Sequence, residues 1–111
     1  MEQILWHWIL LWPIVVWGAY NNSTDNYYVQ LDIGSHKYLI IALEYFSRSV
    51  VLTWAQGILN ANTNREVIVA THSYLNPNGT RTIHSDPFGL DMYGGAASIG
   101  CLDSQQVWMP L

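Results

Sequence analysis

His72 lies in a short β-branched run, Glu66-Val-Ile-Val-Ala-Thr-His-Ser-Tyr-Leu75, which carries an imidazole from a strand straight into a polar loop. A ring held just past the carboxyl end of a buried strand is rigid, and its nitrogens face a crevice. Metal sites favour that geometry, although spacing alone fits a loop or capping histidine equally well. His7 and His36 carry no carboxylate at ligand spacing and read as structural or solvent-facing, and His84, in Ile83-His-Ser-Asp86, reads as a loop histidine. Cys101 is the single thiol, so it forms neither an internal disulfide nor a metal knuckle and reads as a small, half-buried residue. Ser73 adjoins His72, so their side chains leave the strand end in opposite directions and cannot share a proton. Gly94-Gly95 lacks the Lys and the following helix that a phosphate loop needs. The chemistry rests on His72.

The elements that must position this residue follow from periodicity. Tyr27, Val29, Leu31 and Ile33 alternate with Tyr28, Gln30 and Asp32, the pattern of a half-buried strand. Gly34-Ser-His36 supplies a short turn, and Lys37 to Leu43 reads as an apolar strand buried on both faces, so the two form an antiparallel hairpin. Ser49 is the expected N-cap of a helix to about Asn60, with Val51, Trp54, Ala55, Ile58 and Leu59 at helical spacing. Glu66 to Ala70 is then a second central strand, parallel to the hairpin strand through a right-handed crossover. The expected fold class is α/β, with a β-hairpin, a crossover helix and a further strand. Asn76-Pro-Asn-Gly79 marks a turn, and the glycine-containing stretch to Gly100 reads as a long loop. Asp103-Ser-Gln-Gln106 has the form of a capping box opening a helix, which the chain's last residues leave short, as in a truncated domain.

Composition limits what surrounds these elements. The 111 residues suffice for one modest domain, and only 11% of them are charged against roughly 25% in an average soluble domain. Four Lys or Arg face eight Asp or Glu, which leaves no basic stripe for phosphate neutralisation and excludes nucleic acid as a partner. Three glycosylation sequons, at Asn21, Asn22 and Asn78, are short enough to arise by chance. Residues 4–20 form the most apolar run, with Trp6, Trp8, Trp12 and Trp17 among Leu, Ile and Val. Its length is near the lower limit for a bilayer span, which takes roughly 20 residues, so a membrane partner stays open through this run. Glu2 is the wrong charge for a secretory n-region, the tryptophans do not gather at the two ends, and Pro13 interrupts a helix. Three readings stand side by side for it: a signal or anchor, a buried or interfacial element of a larger fold, and a truncated start. Residues 1–16 are accordingly set apart from residues 17–111.

Four stretches, Asp25-Asn-Tyr-Tyr-Val-Gln-Leu-Asp-Ile-Gly34, Leu39-Ile-Ile-Ala-Leu-Glu-Tyr-Phe46, Leu52-Thr-Trp-Ala55 and Val67-Ile-Val-Ala-Thr-His-Ser-Tyr-Leu75, carry a family likeness. From about Trp17 to Trp108 the chain resembles the calcineurin-like metallophosphoesterases. The resemblance implies a partial domain, a fragment of an α/β sandwich over residues 17–111. It also implies a hydrolase lineage acting on phosphate esters, with two divalent ions (Mn, Fe or Zn) about 4 Å apart that activate a bridging water. Of the family's D-x-H, G-D, G-N-H, T-H and G-H-x-H loops, only T-H is matched, by Thr71-His72. Carried over, His72 corresponds to a metal ligand, and Ser73, Tyr74 and Leu75 match the loop after it. A single imidazole holds no two-metal centre, so the chain is expected to be catalytically incomplete and to bind metal weakly by itself. A second expectation comes from another class: a small membrane-attached interaction protein that presents Tyr27, Tyr28 and Tyr74 to a partner. A third is complementation by a separate chain that supplies the missing loops.

Overall fold

The computed structural model describes residues 14–72, 74–83, 85–87 and 101–108. Along the chain run β1 (Ile14–Ala19), a 3-10 turn (Tyr20–Asn22), β2 (Tyr27–Ile33), β3 (His36–Ala42), α1 (Ser49–Asn60), β4 (Glu66–Ala70) and α2 (Ser104–Trp108). The four strands form one sheet in the order β1-β2-β3-β4, antiparallel between the first three and parallel between β3 and β4. The chain is thus a small mixed α/β unit, and the hairpin, the helix and the further strand lie where periodicity places them. Ile33 pairs with His36 across Gly34-Ser35, and Gly34 takes φ +59°, the left-handed backbone that the first central residue of a type II′ connection needs. β1 begins at Ile14, inside the run set apart on composition, and pairs along its whole length with β2.

One face of the sheet meets α1. Leu39 and Ile41 of β3 pack with Val51, Leu52 and Ala55, and Ile58 and Leu59 extend the same stripe at the next helical turn. Tyr28 of β2 lies against Trp54, with ring centroids 6.3 Å apart. A 12-residue helix is ~18 Å long and ~10 Å wide, so it spans about two strands at their ~4.8 Å spacing and no more. The middle strands are covered and the outer two are not.

That geometry corrects two sequence expectations. β3 is buried on the helix face only, with Tyr38, Ile40 and Ala42 half-buried on the other. β4 is an edge strand and not a central one, and all five of its residues are exposed. The helix start is a third correction. Ser49 is already helical, and the capping position falls on Arg48, which has extended backbone and gives no side-chain cap. Glu44 instead holds the N-cap residue in place, its Oε1 accepting a hydrogen bond from the Arg48 N–H at 3.1 Å.

Glu44 ties three elements together. Its carboxylate also accepts from Arg48 Nε at 2.8 Å and from Asn26 Nδ2 at 2.8 Å, while its own N–H donates to Asn26 Oδ1 at 2.8 Å. Asn26, fully buried, thereby fixes the entry to β2 against the exit from β3 and the start of α1. A second set of polar ties holds the far end of the helix. Gln30 donates to buried Asn62 at 2.6 Å, Asn62 donates to Ile58 O at 2.8 Å, and Arg65 pairs with Asp32. α2 opens on the expected capping box, with Gln106 N–H on Asp103 Oδ1 and Gln106 Oε1 on the Asp103 N–H.

Burial raises the Glu44 pKa, but the hydrogen bonds from Arg48 and Asn26 outweigh it and hold the carboxyl below its ordinary value of 4.5. A depressed folded pKa adds stability that is present above the unfolded value and lost as pH falls through the folded one. Unfolding stability should therefore decline below about pH 4.5, and Glu44→Gln should lose ~1–2 kcal/mol at pH 7 and flatten that decline in urea titrations. Close packing gives a second test. A Cβ at Gly18 would stand 2.6 Å from the Tyr28 ring, which Trp54 prevents from swinging away. Gly18→Ala should cost ~1–3 kcal/mol in the same assay, and Gly18→Ala with Tyr28→Leu should recover part of it.

Candidate functional site

His72 stands two residues beyond β4 and is exposed. It lines a cleft of ≈ 590 Å³ at the carboxyl ends of β3 and β4, the two parallel strands. Clefts of this kind form where parallel strands end, because their backbones stop and loops diverge around the opening. The floor is Ala42 and Ala70, whose small side chains leave the space open, and the walls come from Thr24, Asp25, Tyr27, Glu44, Tyr45 and Thr71. Leu43 N–H bonds Ala70 O at 2.9 Å and Thr71 Oγ1 reaches Glu44 O at 3.4 Å, so the two strand exits are held together beneath the imidazole.

Tyr45 sits on the loop between β3 and α1 and meets His72 edge to face, with ring centroids 5.9 Å apart at 77°. Its neighbour Phe46 is buried with φ +49°, a left-handed backbone that costs an aromatic residue ~1 kcal/mol or more. Packing absorbs that strain: Phe46 stacks edge-on against Tyr45 at 4.4 Å, and Ser47 Oγ donates to Glu44 O. The backbone reversal at Phe46 is what lets one short loop bring Glu44 and Tyr45 to the cleft and Arg48 to the helix. On its other side His72 borders a cavity of only ≈ 10 Å³, room for about one water, with Tyr74 and Ser104 in its wall.

The cleft is acidic. Among the described residues its carboxylates are Asp25 and Glu44, and no Lys or Arg lines it. Glu44 is already committed to Asn26 and Arg48, so recruiting it to another ligand would break the fold's main polar tie. Among the described residues no group of three His, Cys, Asp or Glu comes together as a metal-binding set. The described donors do not fit a two-metal centre: the His72 imidazole and the Asp25 carboxylate fall well short of the ligands that two ions require.

The other sequence candidates lie elsewhere or outside the description. His36 is exposed on the hairpin turn, stacked on Tyr38 and 3.8 Å from Glu66 Oε1. Burial and the Glu44 charge push the Cys101 thiol above its ordinary pKa, away from the thiolate that reactivity needs. His7, Ser73, His84 and Gly94-Gly95 fall outside the described residues. Of the aromatics expected at a docking surface, only Tyr27 is exposed; Tyr28 is half-buried under Trp54, and the Tyr74 hydroxyl is buried. Asp25 and Tyr45 were not singled out from sequence, since a turn cluster and a loop tyrosine carry no spacing signal. Compared with protein-family models, with curated proteins and with solved structures, the chain matches none of them.

Exposure separates a ligand-facing imidazole from a packing one, and His72 is exposed. His72→Ala should change the unfolding free energy by no more than ~0.5 kcal/mol, measured by urea denaturation. A larger loss would assign the ring to the fold.

Proposed function

We propose that this chain is a partial calcineurin-like metallophosphoesterase domain, of a lineage that hydrolyses phosphate esters, and that it is inactive by itself. The observation that carries the reading is the position of His72: an exposed imidazole just past a parallel strand, opening on a cleft at the sheet's margin. The sequence likeness around Thr71-His72 and the β3-α1-β4 order support it, because that arrangement is what a T-H loop of such a domain needs. In a complete domain His72 would be one donor to a divalent ion such as Mn, Fe or Zn, whose chemistry is to lower the pKa of a bound water. Here its roles are narrower. His72 lines the cleft with its imidazole, Tyr45 limits how that ring turns, and Asp25 adds a negative charge that favours cations.

The same cleft explains why turnover is not expected. A phosphate ester is an anion, and the described lining of the cleft offers it the carboxylates of Asp25 and Glu44 and no Lys or Arg. A separate chain carrying the missing ligand loops would remedy both deficits at once. A membrane-attached role without catalysis is the competing reading, favoured by the exposed apolar side chains of β1 and β4. Among the described residues no helix is long and apolar enough to cross a membrane.

Mn²⁺ titration followed by NMR tests the proposal. Paramagnetic broadening should centre on His72 and Asp25 at millimolar ion, with no hydrolysis of p-nitrophenyl phosphate above the metal-only background. His36 beside Glu66 is the internal control, being another exposed imidazole near a carboxylate. Equal broadening there would remove any special status from the cleft, and near-stoichiometric metal in the isolated chain would refute its incompleteness.

A further inference from the structure

Asp25 stands apart from the other carboxylates described in the structure. Glu44 is held by Arg48, Asp32 by Arg65 and Asp86 by Asn76, and Glu66 and Asp103 also have partners. The Asp25 side chain has no hydrogen bond or ion pair among the described residues, and it lines the ≈ 590 Å³ cleft beside His72. The basic residues of the whole chain are Lys37, Arg48, Arg65 and Arg81; all of them are described, and none lines the cleft. The cleft therefore carries a negative charge that no Lys or Arg compensates, and such a cavity selects for cations.

The rest of the lining decides which cations. A metal ion leaves its water shell only for several oxygen or nitrogen donors, and no set of three comes together among the described residues. Aromatic rings do come together. Tyr27, Tyr45 and His72 line the cleft, and the last two have centroids 5.9 Å apart with their planes at 77°. Ring faces set nearly at right angles wall an aromatic cage, whose negative π faces attract an alkylated ammonium, a cation with little bound water to lose. Ala42 and Ala70 give the cleft a small apolar floor, and its volume lies within the roughly 300–1,000 Å³ of small-molecule pockets.

We propose that the cleft binds a small organic cation with an alkylated ammonium head, the head lying between the rings and its charge opposite Asp25. Glu44, already tied to Arg48, contributes to the wall more than to the charge. A phosphate ester next to the same head would bring an anion to Asp25, so the ligand is a free alkylammonium and not a phosphocholine lipid headgroup. This inference rests on the lining of the cleft and is independent of the phosphoesterase reading: a failed Mn²⁺ titration leaves it standing, and its own failure leaves the Mn²⁺ result intact.

Choline titrated into the full chain and followed by amide NMR tests it, beside the uncharged isostere in which a tert-butyl group replaces the trimethylammonium. Choline should shift the signals of Asp25, Tyr45 and His72 with a dissociation constant of ~1–10 mM. The isostere should bind ~10-fold more weakly or not at all, because it keeps the shape and loses the charge. Asp25→Asn should weaken choline ~3–10-fold, and Tyr27→Leu ~2–5-fold. Equal binding of the isostere would overturn the proposal, as would tighter binding of phosphocholine than of choline, or shifts centred on another surface. The absence of a saturable shift up to ~100 mM choline would overturn it as well. The isostere comparison needs no variant, so it decides the matter even if circular dichroism shows that a substitution unfolds the chain.

Discussion

Everything in this small unit turns on the Glu44 carboxylate. It receives Asn26 from the start of β2 and both backbone and side chain of Arg48 from the start of α1, while standing at the exit of β3. The starts of two elements and the exit of a third, one of them 18 residues away in sequence, thus share one anion. Hydrogen bonds to a charged acceptor are individually stronger than neutral ones, and a half-buried carboxylate left without them would carry a desolvation cost. The fold therefore has a polar hinge point as well as an apolar core, and the His72 cleft opens directly beside it. The structural tie at Glu44 thus shapes one wall of the site.

Much of the architecture was legible because it depends on local periodicity. The strand alternation at Tyr27 to Ile33, the helical stripe from Val51 to Leu59 and the reciprocal cap at Asp103 and Gln106 each declare themselves within a few residues. What sequence could not disclose depended on how much surface one helix covers. An apolar strand such as Val67-Ile-Val69 reads as central whether or not a neighbour exists to bury it, so β4 was placed inside the sheet and lies at its edge. The start of α1 differs by one residue from the sequence reading: Ser49 has the right chemistry for a cap but is already helical, and the capping position falls on Arg48, whose own N–H is held by Glu44 four residues earlier.

The candidate site was half legible. A strand that ends in Thr71-His72 announced an imidazole in an opening, and the structure has it exposed there. The companions Asp25 and Tyr45 carry no such signal, because they arrive through the turn before β2 and the left-handed residue at Phe46. Aromatic residues, by contrast, were over-read as surface features. Tyr28 fills the hollow that Gly18 leaves open, and a tyrosine lodged over a glycine is a packing pair that only the strand register exposes.

β4 ends the sheet with its outer backbone groups unpaired by any further strand among the described residues, and its side chains Val67, Ile68 and Val69 stand in water. It contains neither proline nor glycine, and Glu66 is its single charge. Protein edges normally carry lysine, a bulge or a covering loop to discourage growth. Among the described residues no such guard stands at β4, and an unguarded strand is a template on which identical segments can stack into a cross-β ladder. Fibril formation by this chain would consequently show a nucleation lag that seeds abolish, with growth propagating from the same margin of the sheet that frames the histidine cleft.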